Sequence, residues 1–322
     1  MEEFKLIAKL ESLIKLRSKD VLVSIGDDTA VVRPSGAPLL WTVDCLVEQV
    51  HFDLSYFTAA DLGHKALAVN LSDMAAMAGK PRWALVSLGL RKGVRSDFIV
   101  DMYRGLLALA ERYGVQVVGG NVSRANEFFI DVTVLGDSPS KPVLRSGAKA
   151  GDVLAVTGFL GAAAGGLHAL QKWGKRCTRL FPDLAAAQTR PEPRLAESAA
   201  LYGVAHACID ISDGLASELH HIAKASGVKC VVDADWVPVH PALKELAKKT
   251  DLKAMDLALY GGEDYELLLS LPPRKLREAQ KRIRALGGNL VILGKVASGR
   301  GVYLRRSGRL RPLKPLGHRH QF

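Results

Sequence analysis

Five short segments set acidic residues at the ends of apolar runs, packed among Gly, Ser and Asn. They are Gly26-Asp27-Asp28, Val43-Asp44, Asn70-Leu71-Ser72-Asp73, Asp210-Ile211-Ser212-Asp213-Gly214 and Gly261-Gly262-Glu263-Asp264. Apolar runs seek burial, whereas an ionised carboxylate resists it unless it is paired or binds a metal. The glycines let backbone approach a ligand closely. Carboxylates sited where strands end, with such neighbours, suit a hard divalent cation and the polyphosphate that accompanies it. The formal net charge is +11, so the acids do not reflect general acidity.

The chain has 322 residues, 48% of them apolar, which is too long for one core of ordinary size. Pro, Ser, Gly and Lys cluster from Ser138 to Gly151 and mark a boundary between residues 1–137 and 138–322. No apolar run approaches the roughly 20 residues of a membrane span. The acidic N-terminus lacks the basic-then-apolar order of a secretory signal, so a cytoplasmic protein is expected. Cys45, Cys177, Cys208 and Cys230 are scattered without a CxxC pair, which argues against a disulfide framework or a zinc site. The basic excess lies on helix faces (Lys244, Lys248, Lys249, and Arg274 to Arg284) and in the tail from Arg305 to Arg319. Aromatic residues make up 6% and do not interleave with it, as a groove for single-stranded nucleic acid requires. A basic surface of this kind suits attraction of small anionic substrates.

Strands and helices alternate in the first half. The pattern predicts strands at Leu39–Asp44, Trp83–Leu90, Val115–Val118 and Phe128–Leu135. Helices are expected at Ala60–Ala78, stopped by Gly79-Lys80-Pro81, and at Asp97–Tyr113, capped by Gly114. In the second half, strands are predicted at Val153–Thr157, Ala207–Ile211, Lys229–Val232, Glu266–Leu271 and Leu290–Leu293. A small-residue loop from Gly158 to Gly166 leads into a helix, and further helices span Leu215–Ser226 and Arg274–Leu286. Two α/β layers, each with its own sheet, fit this order.

Asp73 is the most informative acid, because it falls on the apolar stripe Leu62, Ala66, Val69, Asp73, Met77 of its helix, with Asn70 one turn back. A core Asp held by hydroxyls or lysine would also explain it. Gly26-Asp27-Asp28 fits a plain turn as well as a site. Ser212 or Asp213 can serve as N-cap of the helix that follows, and a helix N-terminus also attracts phosphate. Neither G-x-x-x-x-G-K-[ST] nor G-x-G-x-x-G occurs, and no Ser or Cys is matched with a His and an acid. The chemistry these residues suggest is metal-assisted phosphoryl transfer.

The segments IGDDTAVV, VDCLVEQVHF, KALAVNLSDMAAMAG, VGGN, LRSGAKAGDVLAVTG, RPEPR, CIDISDGLASELHHIAKASG and YGGEDYEL span nearly the whole chain. In order and spacing they resemble the thiamine-monophosphate kinases, of the aminoimidazole ribonucleotide synthetase-like superfamily. The resemblance implies a two-domain α/β (α+β) fold, with N-terminal sheets pairing in a dimer and ATP lying between the domains. It implies transfer of the γ-phosphoryl group of ATP to thiamine phosphate with several Mg²⁺ ions. By motif, Asp28, Asp44, Asp73, Asp210 and Asp213 match metal ligands, and Thr42 falls where a further oxygen ligand is supplied. Asp44, Asp73 and Asp210 are the acids on which catalysis would depend. Gly120, Asn121, Arg145 and Ser212 match nucleotide-contacting positions. His51 and Glu263 match positions facing thiamine phosphate, and near the C-terminus His318 stands where the family has an aromatic residue that helps hold thiamine.

Four positions depart from the family pattern: Asn121 and Val43, at positions that serve the same metal in the family, replace Asp and Thr, Gly161-Ala162 replaces Gly-Asp, and His318 replaces an aromatic residue. Asn keeps an oxygen but removes a charge, which weakens one Mg²⁺ site. The rival readings are another ATP-dependent enzyme of the superfamily, a nucleotide-binding regulatory homologue with weakened catalysis, and, on charge alone, a nucleic-acid binder.

Overall fold

Period-two burial separates two sheets of different character. The computed structural model describes residues 3–14, 18–23, 31–36, 38–138 and 141–317. Contacts divide the chain into two units, Met1–Met74 with Gly79–Lys141, and Ala75–Ala78 with Pro142–Phe322.

The first unit contains α1 (Glu3–Leu13), a short ladder of β1 (Val21–Val23) and β2 (Val31–Val32), then β3 (Leu39–Val47), α2 (Ala59–Ala76), β4 (Lys80–Leu90), α3 (Ser96–Tyr113), β5 (Gln116–Arg124) and β6 (Phe129–Asp137). Residues 75–78, at the end of α2, group with the second unit. The four long strands form one sheet in the order β3-β6-β4-β5, parallel only between β4 and β5. On β6, Ile130, Val132 and Val134 are buried while Asp131, Thr133 and Leu135 are only partly so. One face therefore joins the core and the other stays open. On the open face Trp41 is 71% exposed and Val43 56%, with Leu39 and Leu85 also exposed.

Helices α2 and α3 cross at two glycines. A Cβ on Gly63 would lie 1.8 Å from the carbonyl oxygen of Met102, and one on Gly105 would lie 2.1 Å from that of Ala60. Backbone-to-backbone contact of this closeness is open only to glycine. It lets α2 bury nearly every side chain from Leu62 to Ala76, including His64, Lys65, Asn70 and Ser72, rather than a single stripe. Asp73 is the one residue in that span left partly open, which corrects its expected place on a buried stripe. Met77 lies beyond the helix, which ends before Gly79-Lys80-Pro81, and Lys80 and Pro81 open β4.

The second unit contains β7 (Val153–Thr157), α4 (Ala162–Trp173), α5 (Cys177–Leu180), α6 (Pro182–Thr189), α7 (Leu195–Leu201), β8 (Ala207–Asp210), α8 (Leu215–Ser226), β9 (Lys229–Asp233), α9 (Ala242–Ala247), α10 (Ala254–Tyr260), β10 (Leu267–Leu271), α11 (Leu276–Ala285), β11 (Leu290–Ala297), β12 (Gly301–Arg306) and β13 (Arg309–Pro312). Its sheet runs β13-β12-β9-β11-β7-β10-β8. The central strands are buried on both faces, which explains their unbroken apolar sequences. Leu154, Val156, Ile209 and Leu268 pack with α8 on one side. Ala155, Cys208, Leu267 and Leu269 pack with α7 and α11 on the other.

The loop expected from Gly158 to Gly166 ends at Gly161, because α4 begins at Ala162. Gly165 and Gly166 lie inside that helix, and a Cβ on Gly166 would meet the Leu184 carbonyl at 1.9 Å. Packing here overrides the low helix propensity of glycine. Gly114 and Gly227 cap α3 and α8 in left-handed conformation. Among the described residues no helix is long and apolar enough to cross a membrane.

Replacing Gly105 by Ala should lower unfolding stability by about 1–3 kcal/mol, because the clash is with backbone and not with a movable side chain. Urea unfolding followed by circular dichroism measures it; an unchanged midpoint would contradict the account of the helix crossing.

Candidate functional site

In the first unit, alternation along β3 turns Trp41, Val43 and Cys45 to the open face and Thr42 and Asp44 to the helix-covered face. Thr42 lies opposite Val134 and Asp44 opposite Val132 on β6. Because β3 is an edge strand, both polar residues sit at the rim of the core. The Thr42 hydroxyl donates to the Asp73 carboxylate of α2, so the two elements meet through this pair. The Asp44 carboxyl is pushed up to about 6, first by burial and then by the charges of Asp73 and Asp131. Burial also raises Asp131, which lies one register position away on β6. The charges of Asp73 and Asp131 thus both reach the Asp44 carboxyl.

Asn70 does not join this group. Its amide donates to the Ala66 carbonyl at 3.1 Å, and its Oδ1 has no hydrogen-bond partner among the described residues. His51, in the turn after β3, accepts the Val47 backbone N–H on Nδ1 at 3.0 Å, which leaves the ring proton on Nε2. Gly120 is explained by strand pairing itself: a Cβ there would come 1.9 Å from the Val86 carbonyl. Asn121 is exposed and donates to the Ser123 hydroxyl at 3.0 Å. Sheet order places Asn121 on β5 and Asp44 on β3, at opposite edges and three strand spacings apart, about 14 Å. One chain does not bring these two residues together. Gly26-Asp27-Asp28 and His318 lie outside the described residues.

In the second unit, β8 ends at Asp210, which is 2% exposed. Ser212 and Asp213 follow, but neither is the N-cap of α8. Gly214 takes that position with φ +114°, a conformation that an L side chain rarely adopts. The N–H of Asp213 is instead donated to the carboxylate of Glu218 at 3.1 Å. Glu218 is buried in the first turn of α8 and pushed up to about 8 by burial; the charges of Asp210 and Asp213 add to this, while the Asp213 N–H and the Arg145 charge oppose it. The Arg145 charge also contributes, after burial, to holding His221 low. Arg145 therefore belongs electrostatically with Asp213 and Glu218.

The Gly261–Asp264 loop is strapped to the same strand end. The Glu263 N–H donates to the Ser212 carbonyl at 2.7 Å and the Tyr265 N–H to that of Ile211 at 2.9 Å. A Cβ on Gly262 would lie 2.4 Å from the Ser212 carbonyl. Asp264 accepts from the backbone N–H groups of Gly161 and Ala163 at 2.6 and 3.1 Å, and so caps α4 from a distant part of the chain. Burial pushes it up to about 7 against those bonds. Gly317 approaches the same region, since a Cβ there would be 2.5 Å from the Asp213 carbonyl. Ser212, Asp213, Arg145 and Glu263 thus share one end of the second sheet with Asp210.

Among the described residues no group of three or more His, Cys, Asp or Glu converges closely enough to hold a metal ion by itself. Mg²⁺ takes one or two carboxylates and completes its shell with water and substrate phosphate. Asp44, Asp73 and the Thr42 hydroxyl are hard oxygen donors, and the negative charges of Asp73 and Asp131 act on Asp44 in addition to its burial. These residues fit the ion.

Residues 26–137 match the AIR synthase related protein N-terminal domain, and residues 149–307 the corresponding C-terminal domain. The fold and the acid-tipped strands therefore define a protein of the AIR synthase related class. Thiamine-monophosphate kinase of Aquifex aeolicus is 34% identical over 296 residues, 92% of each chain. The crystal structure of thiamine-monophosphate kinase from Stenotrophomonas maltophilia superposes with a TM-score of 0.85 at 36% identity, over 94% of this chain and 96% of that one. AaThiL complexed with AMPPCP and TMP gives 0.79 at 34% identity, over 98% and 96%. This chain belongs to the thiamine-monophosphate kinase family.

Sequence reading missed Asp131 and Glu218. Asp131 was signalled by its place in the alternating strand FIDVTVLGD, and Glu218 by an acid in the first turn of a helix whose neighbours are apolar.

The shift of Asp44 has a definite sign. Its carboxyl binds a proton more tightly folded than unfolded, so ionisation between about pH 4 and 6 costs stability. Asp44→Asn should therefore raise the Tm of metal-free protein at pH 8 by about 2–5 °C and leave it nearly unchanged at pH 4. Scanning calorimetry at the two pH values checks this; equal shifts at both would contradict it.

Proposed function

We propose that this protein is a thiamine-monophosphate kinase, a cytoplasmic homodimer that uses ATP and Mg²⁺ to convert thiamine phosphate to thiamine diphosphate. The observation that carries the reading is the placing of Asp73 and Asp131 close enough to Asp44 for their charges to raise its carboxyl, in a chain of net charge +11. The family membership and the ATP analogue and TMP held by AaThiL support it.

In the first unit, Asp28, Thr42, Asp44 and Asp73 would hold Mg²⁺, and Asp210 and Asp213 would do so in the second. Bound there, Mg²⁺ neutralises the charge of the triphosphate and of the phosphoryl group in transfer. Gly120, Asn121, Arg145 and Ser212 contact the nucleotide, with Arg145 as the cation among them. His51, Glu263 and His318 face thiamine phosphate. The His51 tautomer fixed by the Val47 N–H makes Nε2 a donor, suited to a phosphate oxygen. The acceptor phosphate is already ionised, so the chain orients it in line without a general base.

Incubation with ATP, Mg²⁺ and thiamine phosphate should yield thiamine diphosphate on chromatography. Asp210→Asn should lower turnover about 100-fold or more while leaving the circular dichroism spectrum intact. Product from thiamine but not from thiamine phosphate, or near-normal turnover by the variant, would overturn the assignment. Nucleotide binding without product would favour the regulatory homologue, a reading kept alive by the neutral Asn121.

Two observations support the homodimer. The open sheet face presents Leu39, Trp41, Val43 and Leu85, an apolar surface of the kind that marks an interface. Val43 and Asn121, whose family counterparts serve one metal, lie on β3 and β5 at opposite sheet edges, so a second copy is the simplest source of the missing partner. Val43→Lys should halve the sedimenting mass and reduce turnover; a dimer of undiminished stability would contradict this surface.

A further inference from the structure

Helix α6 brings a buried amide against the loop that carries Glu263. Gln188 is 1% exposed, and its Nε2 donates to Glu263 Oε2 at 2.7 Å. Its own Oε1 is buried with no hydrogen-bond partner among the described residues. The orientation of the amide follows from the charge of Glu263, since the reverse would set oxygen against carboxylate oxygen. A buried amide satisfied on one side only is a poor choice for stability, because an apolar side chain of the same length avoids the unmet acceptor. The amide is accounted for by what its N–H does to Glu263.

Glu263 needs such a hold. Its φ is +68°, in the left-handed region that non-glycine residues seldom occupy. The Ser212 carbonyl fixes its backbone N–H, and Gln188 fixes one oxygen of its carboxylate. Main chain and side chain are thereby tied from two different elements, and the carboxylate plane is set before any ligand arrives.

We propose that Gln188 is a positioning residue for acceptor binding, holding the Glu263 carboxylate ready for the N–H-bearing or cationic end of the acceptor. A carboxylate repels the phosphate of that same molecule, so the phosphate end lies elsewhere. This rests on the kinase reading, in which Glu263 faces thiamine phosphate, and adds to it the orientation of the substrate.

Titration calorimetry of thiamine phosphate into wild type, Gln188→Met, Glu263→Gln and the double variant tests the proposal without relying on turnover. Gln188→Met should weaken thiamine phosphate binding about tenfold while AMPPCP affinity stays within about twofold and the Tm is no lower than that of wild type. The double variant should bind thiamine phosphate no more weakly than Glu263→Gln alone, since the two residues act as one unit. Unchanged binding in Gln188→Met, strictly additive losses, or a loss accompanied by lower Tm and weaker AMPPCP binding would each overturn the positioning role. Wild type that binds thiamine phosphate but makes no thiamine diphosphate would sink the kinase reading alone; wild type that binds none would sink both.

Discussion

Burial of the Asp44 carboxyl beside the charges of Asp73 and Asp131 is the constraint on which the account of the first unit depends. Raising one carboxyl from 3.8 to about 6 corresponds to about 3 kcal/mol at neutral pH. Against a net stability of about 5–15 kcal/mol for a typical domain, that is a substantial burden. The fold tolerates it because α2 is locked against α3 at Gly63 and Gly105 and cannot move Asp73 away from β3. A divalent cation would reverse the sign of the charge contribution at Asp44, so this geometry suits the metal proposed above.

The second unit reaches a related end by different means. Its acids lie where β8 ends, and the Gly261–Asp264 loop is tied to that end by backbone bonds to Ile211 and Ser212. Beneath it, Glu266 is buried against Arg194 at 2.6 Å and Thr157 at 2.6 Å. Removing one partner of such a buried set strands a charge, so the set specifies one arrangement even where it adds little net stability. Two non-glycine residues with positive φ, Glu263 and Tyr265, flank Asp264, whose carboxylate holds the start of α4. Strain at this loop is supported by helix packing far from it in sequence.

Much of this was legible from residues alone. Alternation in LLWTVDCLV sets Thr42 and Asp44 on one face, and the apolar runs VLAVT, ACID and LLLSL were legible as strands, which the structure buries on both sides. Glycines at 114 and 227 marked helix ends correctly because a left-handed cap is a local requirement. What sequence hid was contact between distant segments. Gly165 and Gly166 looked like loop until Leu243 and Leu184, respectively, explained them, and Ser212 looked like an N-cap although Gly214 supplies the turn. The short helices α5, α6, α7, α9 and α10 carry too few turns for a readable period, so Gln188 on α6 gave no signal. The separation of Asp44 from Asn121 is a property of strand order, which no local pattern encodes.

The most direct test of the account is a carbon-13 NMR titration of the Asp44 carboxyl, assigned by comparison with Asp44→Asn, in the absence and presence of Mg²⁺ with AMPPCP. The account requires an apparent pKa near 6 in the metal-free protein and a fall below the ordinary carboxylate value of 3.8 when the metal and nucleotide are present. A carboxyl that titrates near 4 in both conditions would contradict it.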